Sequence, residues 1–77
     1  MEGGAMIATV FVGYAYPTSS RAEAMGWKDG GHFCEFVAHD GDIITTRCRD
    51  KSHACEVAAG YMLAEWQLGR MCKIKNY

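Results

Sequence analysis

Residues 32–49 read HFCEFVAHDGDIITTRCR, and this stretch decides the fold. Two runs rich in β-branched and aromatic residues, His32 to Ala38 and Asp42 to Arg49, flank His39-Asp40-Gly41. Asp and Gly are turn formers, and a glycine in the left-handed region closes a three-residue hairpin loop with a bulge. That loop sets Phe36 opposite Ile44 and Cys34 opposite Thr46. One face then gathers Cys34, Phe36, Ala38, Ile44, Thr46 and Cys48. The other gathers Phe33, Glu35, Val37, Ile43, Thr45, Arg47 and Arg49. A two-residue Asp-Gly turn would slip the pairing by one and mix the faces, so the bulged loop is expected.

Working outward, Ala5 to Tyr16 is the longest apolar run, and both of its alternating faces are apolar. That pattern suits a central strand covered on both sides. Gly13 marks a bulge or a close approach. Pro17 ends the strand, because it cannot donate to a ladder. Ser20-Arg21-Ala22-Glu23 has capping-box spacing, and Gly26 can close a helix of one to two turns. Trp27 to Gly31 reads as a mobile turn. Beyond the hairpin, Asp50 to Arg70 predicts one long helix, capped by Asp50 or Ser52. Ala54, Val57, Tyr61, Ala64, Leu68 and Met71 form its inward stripe, widened by Cys55, Ala58, Ala59, Met62 and Trp66. Gly69 stops the helix, and Met71 to Tyr77 predicts a short edge strand guarded by lysines.

The expected fold is therefore α+β. An antiparallel sheet of three to four strands carries one long C-terminal helix on one face, in the order β, short α, β, β, α, β. The chain of 77 residues reads as a single domain over residues 5–77, with residues 1–4 as a flexible tail. Ile, Leu, Val and Phe number only 13, while ten alanines and five methionines fill the gap, so the core is small and close-packed. Formal net charge is −1, which argues against a broad electrostatic grip on nucleic acid. No run approaches the roughly 20 apolar residues of a membrane span. No basic residue precedes the run at residues 7–12, as a secretory signal would require. A cytoplasmic location with reduced thiols is the expectation.

Nothing in the sequence names a reaction, and no catalytic residue is expected. His32-Phe33-Cys34 and His53-Ala54-Cys55 repeat the spacing His-x-Cys, with Cys48 between them and Cys72 after. Structural zinc sites usually pair cysteines at Cys-x₂₋₄-Cys, and that pairing is absent. The expected role of Cys34, Cys48 and Cys55 is as small core residues, with no metal and no cofactor. A Cys55–His53 nucleophile pair fails on geometry, since i and i+2 do not face each other on a helix. Asp40 and Asp42 are accounted for by turn chemistry.

Arg47, Arg49 and Lys51 form the one local cluster of positive charge, extended by His53. Such a cluster suits phosphate or an acidic protein surface. Aromatic residues are many for the size, and Trp and Tyr are enriched at interfaces. One long helix covers one sheet face, which leaves Phe33, Val37 and Ile43 on a second apolar face in need of a partner. In size and element order the chain looks like small phage or mobile-element proteins, anti-CRISPR-type inhibitors among them; no motif carries that likeness. It implies a small inhibitor that acts on a host defence complex by surface binding.

The sequence thus predicts a non-catalytic protein-interaction module. Its contacts would be Arg47, Arg49, Lys51, Phe33, Val37, Ile43 and Trp27, against another protein or a second copy in a homodimer. The alternative is a small metal- or nucleic-acid-binding regulator using the Cys/His set or the Arg47/Arg49/Lys51 patch.

Overall fold

The computed structural model describes residues 7–76, so the tail expected at residues 1–4 lies outside the described residues. The elements are β1 (Ala8–Ala15), α1 (Ser20–Met25), β2 (Gly31–Val37), β3 (Ile43–Cys48), α2 (Lys51–Gln67) and β4 (Cys72–Asn76). The strands form one sheet in the order β3-β2-β1-β4. This is the expected α+β layout, with the long helix laid across one face. The sheet is mixed rather than antiparallel, because β4 runs parallel to β1. The reason is connective. β3 runs in the direction of β1, and α2 carries the chain back along the sheet, so β4 starts level with β1 and follows it.

The hairpin has the register its loop demands: Phe36 pairs with Ile44 and Cys34 with Thr46. Gly41 takes φ 94°, and the Ala38 and Gly41 amides donate to Asp42 O and Ala38 O at 2.8 and 2.9 Å. β1 lies between β2 and β4, as its two apolar faces require. Pairing runs through Gly13 against Phe33 with no bulge.

Small residues let α2 approach the sheet closely. Ala54 and Ala58 are fully buried against Ala8, Val10, Val12, Cys34, Phe36, Cys48 and Cys72. Phe36 stacks on Tyr61, ring centroids 4.4 Å apart and ring planes nearly parallel. Asp50 caps the helix, its carboxylate accepting from the His53 amide at 2.8 Å. At the other end Gly69 takes φ 75°, and the Arg70 amide donates to Glu65 O.

Two expectations about α2 are corrected, the course of its inward stripe and the place of Cys55. Ala64, Leu68 and Met71 are exposed, and the helix positions packed on the core after Ala58 are Tyr61 and Met62. A stripe repeating every 3.5 residues drifts about 20° per heptad on a straight helix, and the helix stops at Gln67 before Leu68. Cys55 is exposed, one step round from the buried Ala54 and Ala58; the third core cysteine is Cys72. Glu65 is buried, held by a two-pronged pair with Arg70 (Nη2–Oε2 2.8 Å, Nε–Oε1 3.1 Å).

The second sheet face is not bare. α1 is capped by Ser19 rather than Ser20, its hydroxyl accepting from the Ala22 amide, and Gly26 closes it at φ 74°. Ala22, Ala15 and Phe33 form a second small core with Trp27 packed against it. Phe33 is only 2% exposed, which corrects its expected place on an open apolar face. Arg21 lies over the Phe33 ring and pairs with Glu35 on the same sheet face. The segment expected as a mobile turn carries hydrogen bonds at Gly30. Gly30 donates to Trp27 O at 2.9 Å, and its carbonyl accepts from Arg47 Nη2 at 2.6 Å.

Candidate functional site: a basic and aromatic crevice

Five element ends meet at one rim of the sheet. The carboxyl ends of β1, β3 and β4 arrive there, β2 departs from it, and α2 begins there. Crevices outside the carboxyl ends of strands are frequent ligand sites in open sheets with parallel strands. Here a crevice of about 460 Å³ is lined by Tyr14, Asp29, Gly30, Gly31, His32, Arg47, Cys48, Arg49 and His53. It adjoins a hollow of about 200 Å³ that shares Tyr14 and His32 and adds Lys51 and Asn76.

Strand geometry places each side chain. Tyr14 and His32 sit opposite each other in the β1–β2 register, and their rings meet edge-on at 4.8 Å. Tyr16 meets Tyr14 from the other side at 5.0 Å. Arg47 crosses the glycine turn to reach Gly30 O, with its guanidinium 5.8 Å from the Trp27 ring. Gly31 makes this passage possible: a Cβ there would stand 2.7 Å from Arg47 Nε. His53 accepts the Arg49 amide on Nδ1 at 3.1 Å, which puts the ring proton on Nε2.

Cations outnumber acids at this rim, where Asp50 caps α2 between Arg49 and Lys51. The side-chain ion pairs among the described residues join Arg21 to Glu35 and Arg70 to Glu65, both away from the crevice. Arg47, Arg49 and Lys51 pair with no carboxylate there, and Asp29 is the lone acid of the lining. The first turn of α2 carries no acidic residue either. Cys48 lines the crevice as a protonated thiol. Burial pushes its titration up, and the Asp50 charge adds to this while a hydrogen bond with Cys34 works against it. A thiol of that kind is a poor nucleophile. Among the described residues no three His, Cys, Asp or Glu side chains are placed to hold a metal ion.

The structure thus brings together Arg47, Arg49, Lys51 and Trp27, and separates the other expected contacts from them. Phe33 is buried, while the paired Val37 and Ile43 lie at the hairpin-tip end of the sheet. Ile43 is open at 62% exposure, and Val37 is half-buried. Sequence reasoning missed Tyr14, His32 and Asn76, because only the strand order brings the ends of β1, β2 and β4 level.

A second exposed surface lies on the far half of α2 and on β4. Leu63, Trp66, Leu68, Met71 and Ile74 are all about half exposed or more. β4 is an edge strand, and among the described residues nothing pairs with its outer side. Compared with protein families, with curated proteins and with solved structures, the chain has no significant match.

Proposed function

We propose that this chain is a non-catalytic interaction module that docks on a partner protein along the β4 edge and the adjoining end of α2. One observation carries the reading. An unpaired strand edge and five exposed large apolar side chains, Leu63, Trp66, Leu68, Met71 and Ile74, follow one another along the chain. An open edge is a template for an added strand, and exposed apolar side chains beside it supply the burial that backbone pairing alone lacks.

Charge selects the partner. Lys73 and Lys75 share the β4 face on which Thr9 and Phe11 lie, while Ile74 shares the α2 face with Val10. An antiparallel pairing of two copies centred on Ile74 would set lysine against lysine, which is destabilising. A foreign segment with acidic residues on one face and apolar residues on the other fits the edge better. The module then acts as an accessory or inhibitory subunit. Four free thiols, three of them buried, suit a reducing cytoplasm. No helix among the described residues is long and apolar enough to cross a membrane.

The test is a photo-cross-linking side chain placed at position 66 in cells that make the protein, with exposed position 24 on α1 as control. A discrete adduct is expected from position 66 and not from position 24, and Lys73→Glu with Lys75→Glu should abolish it. Light scattering of the purified chain should return the monomer mass. Equal labelling from both positions, or a concentration-dependent dimer, overturns the reading.

A further inference from the structure

The crevice lies where α2 begins, away from the exposed apolar side chains of that docking surface, and its composition is that of a ligand site. Three cations without carboxylate partners among the described residues, Arg47, Arg49 and Lys51, line two adjoining hollows at a rim whose acids are Asp29 and the capping Asp50. Paired charges elsewhere in the same chain show that carboxylates were available to neutralise them. Unpaired cations around a concavity favour an anion, and the Asp50 carboxylate beside them is committed to the His53 amide.

The anion has a flat companion. Tyr14 is 44% exposed and held edge-on between Tyr16 and His32, so its ring is fixed and still open to the crevice. The volume of about 460 Å³ exceeds the need of a bare phosphate. It falls in the range of roughly 300–1,000 Å³ typical of small-ligand sites. A rigid open aromatic ring beside unpaired cations matches a base and its phosphate. The net charge of −1 limits the match to one or two phosphates rather than a long polyanion.

We propose that the crevice binds a nucleotide unit, with its phosphate on Arg49 and Lys51 and its base against Tyr14. Asp29 sets the polarity, because the phosphate must lie away from it. Arg47, committed to Gly30 O, holds the glycine rim in shape and offers its remaining N–H groups to the ligand. The nucleotide unit can come free or at the end of a single strand, and the ligand chemistry is the same.

The test is titration of the full chain, followed by amide NMR and by Trp27 fluorescence, with three probes. These are adenosine monophosphate, a 5′-phosphorylated oligouridylate and polyglutamate. Saturable shifts at Gly31, His32 and Arg49 are expected with one or both nucleotide probes. Equal affinity per site means a free nucleotide, and tighter binding of the oligonucleotide means a strand end. Arg49→Ala with Lys51→Ala should weaken binding about tenfold. Tyr14→Ala should weaken it roughly fivefold or more, whereas Tyr14→Phe keeps the ring and the affinity. Arg49 and Lys51 are exposed, so these variants leave the core intact even if Tyr14→Ala loosens β1. No saturable shift with either nucleotide probe overturns the proposal. So does polyglutamate binding as well as the nucleotides with no loss in Tyr14→Ala, which would make the crevice an acidic-protein surface.

Discussion

At Gly30 the backbone leaves no room for a side chain. Its φ is +70°, and an added Cβ would stand 2.2 Å from Ala15 O. At Gly41 the φ is +94° but nothing lies within 4 Å of the same position. The two glycines separate two penalties. Gly41→Ala should cost only the strain of the left-handed region, roughly 1–2 kcal/mol. Gly30→Ala should cost that and the clash, so its melting temperature should fall further by several degrees. Thermal unfolding of the two variants side by side is the check; equal losses would mean that the close approach to Ala15 yields at no cost. Gly30 also explains why the crevice rim is rigid, since its carbonyl anchors Arg47.

At the scale of elements, the end of α2 depends on one buried carboxylate. Glu65 is 5% exposed on a helix whose other buried residues, Ala54 and Ala58, are apolar. The Arg70 guanidinium, bonded to it from beyond the helix stop, holds its carboxyl below the usual range despite burial. A depressed carboxyl stabilises the fold above its unfolded value of about 4.3 and loses that contribution as pH falls through the folded value. Glu65→Gln should therefore be less stable than the parent at pH 7, and the gap should close on acidification below pH 4. Urea melts across that range would show it, and a gap constant with pH would assign the loss to packing instead. This pair also marks the limit of what the sequence showed. The hairpin register, the central strand, the Asp50 cap and the Gly26 and Gly69 stops follow from local turn and capping chemistry, so they were legible. Glu65 as a buried residue was not, because its burial depends on Arg70 after the turn. The direction of β4 was not legible either, since no local pattern distinguishes a parallel from an antiparallel edge. The crevice was half legible. Arg47, Arg49 and Lys51 are neighbours in sequence, whereas Tyr14, His32 and Asn76 join them only through strand order. Phe33 was misplaced because a six-residue helix and one tryptophan cover more sheet than the helix length suggests.

For the whole molecule, three buried thiols stand where larger side chains would force the helix off the sheet. Cys34 is completely buried, and burial, reinforced by the neighbouring Cys48, Cys55 and Cys72, pushes its titration from 9.0 up to about 11. A raised value stabilises the fold fully below the unfolded one and loses that contribution as pH climbs through the folded one. Stability should hold to about pH 9 and decline toward pH 11. Cys34→Ala should show a flatter alkaline limb, measured by denaturant melts at fixed temperature. An identical alkaline limb in the variant would assign the decline to other groups.

The ladder between β1 and β4 joins Ala8 to Cys72 and Val12 to Asn76, residues from opposite ends of the described chain. Pairings so distant in sequence are slow to form. During synthesis on the ribosome, the first strand emerges early with one flank unclaimed until the final strand is made. A nascent chain stalled after α2 would thus display a naked β1 margin, ready to capture a stray segment in place of its own last strand.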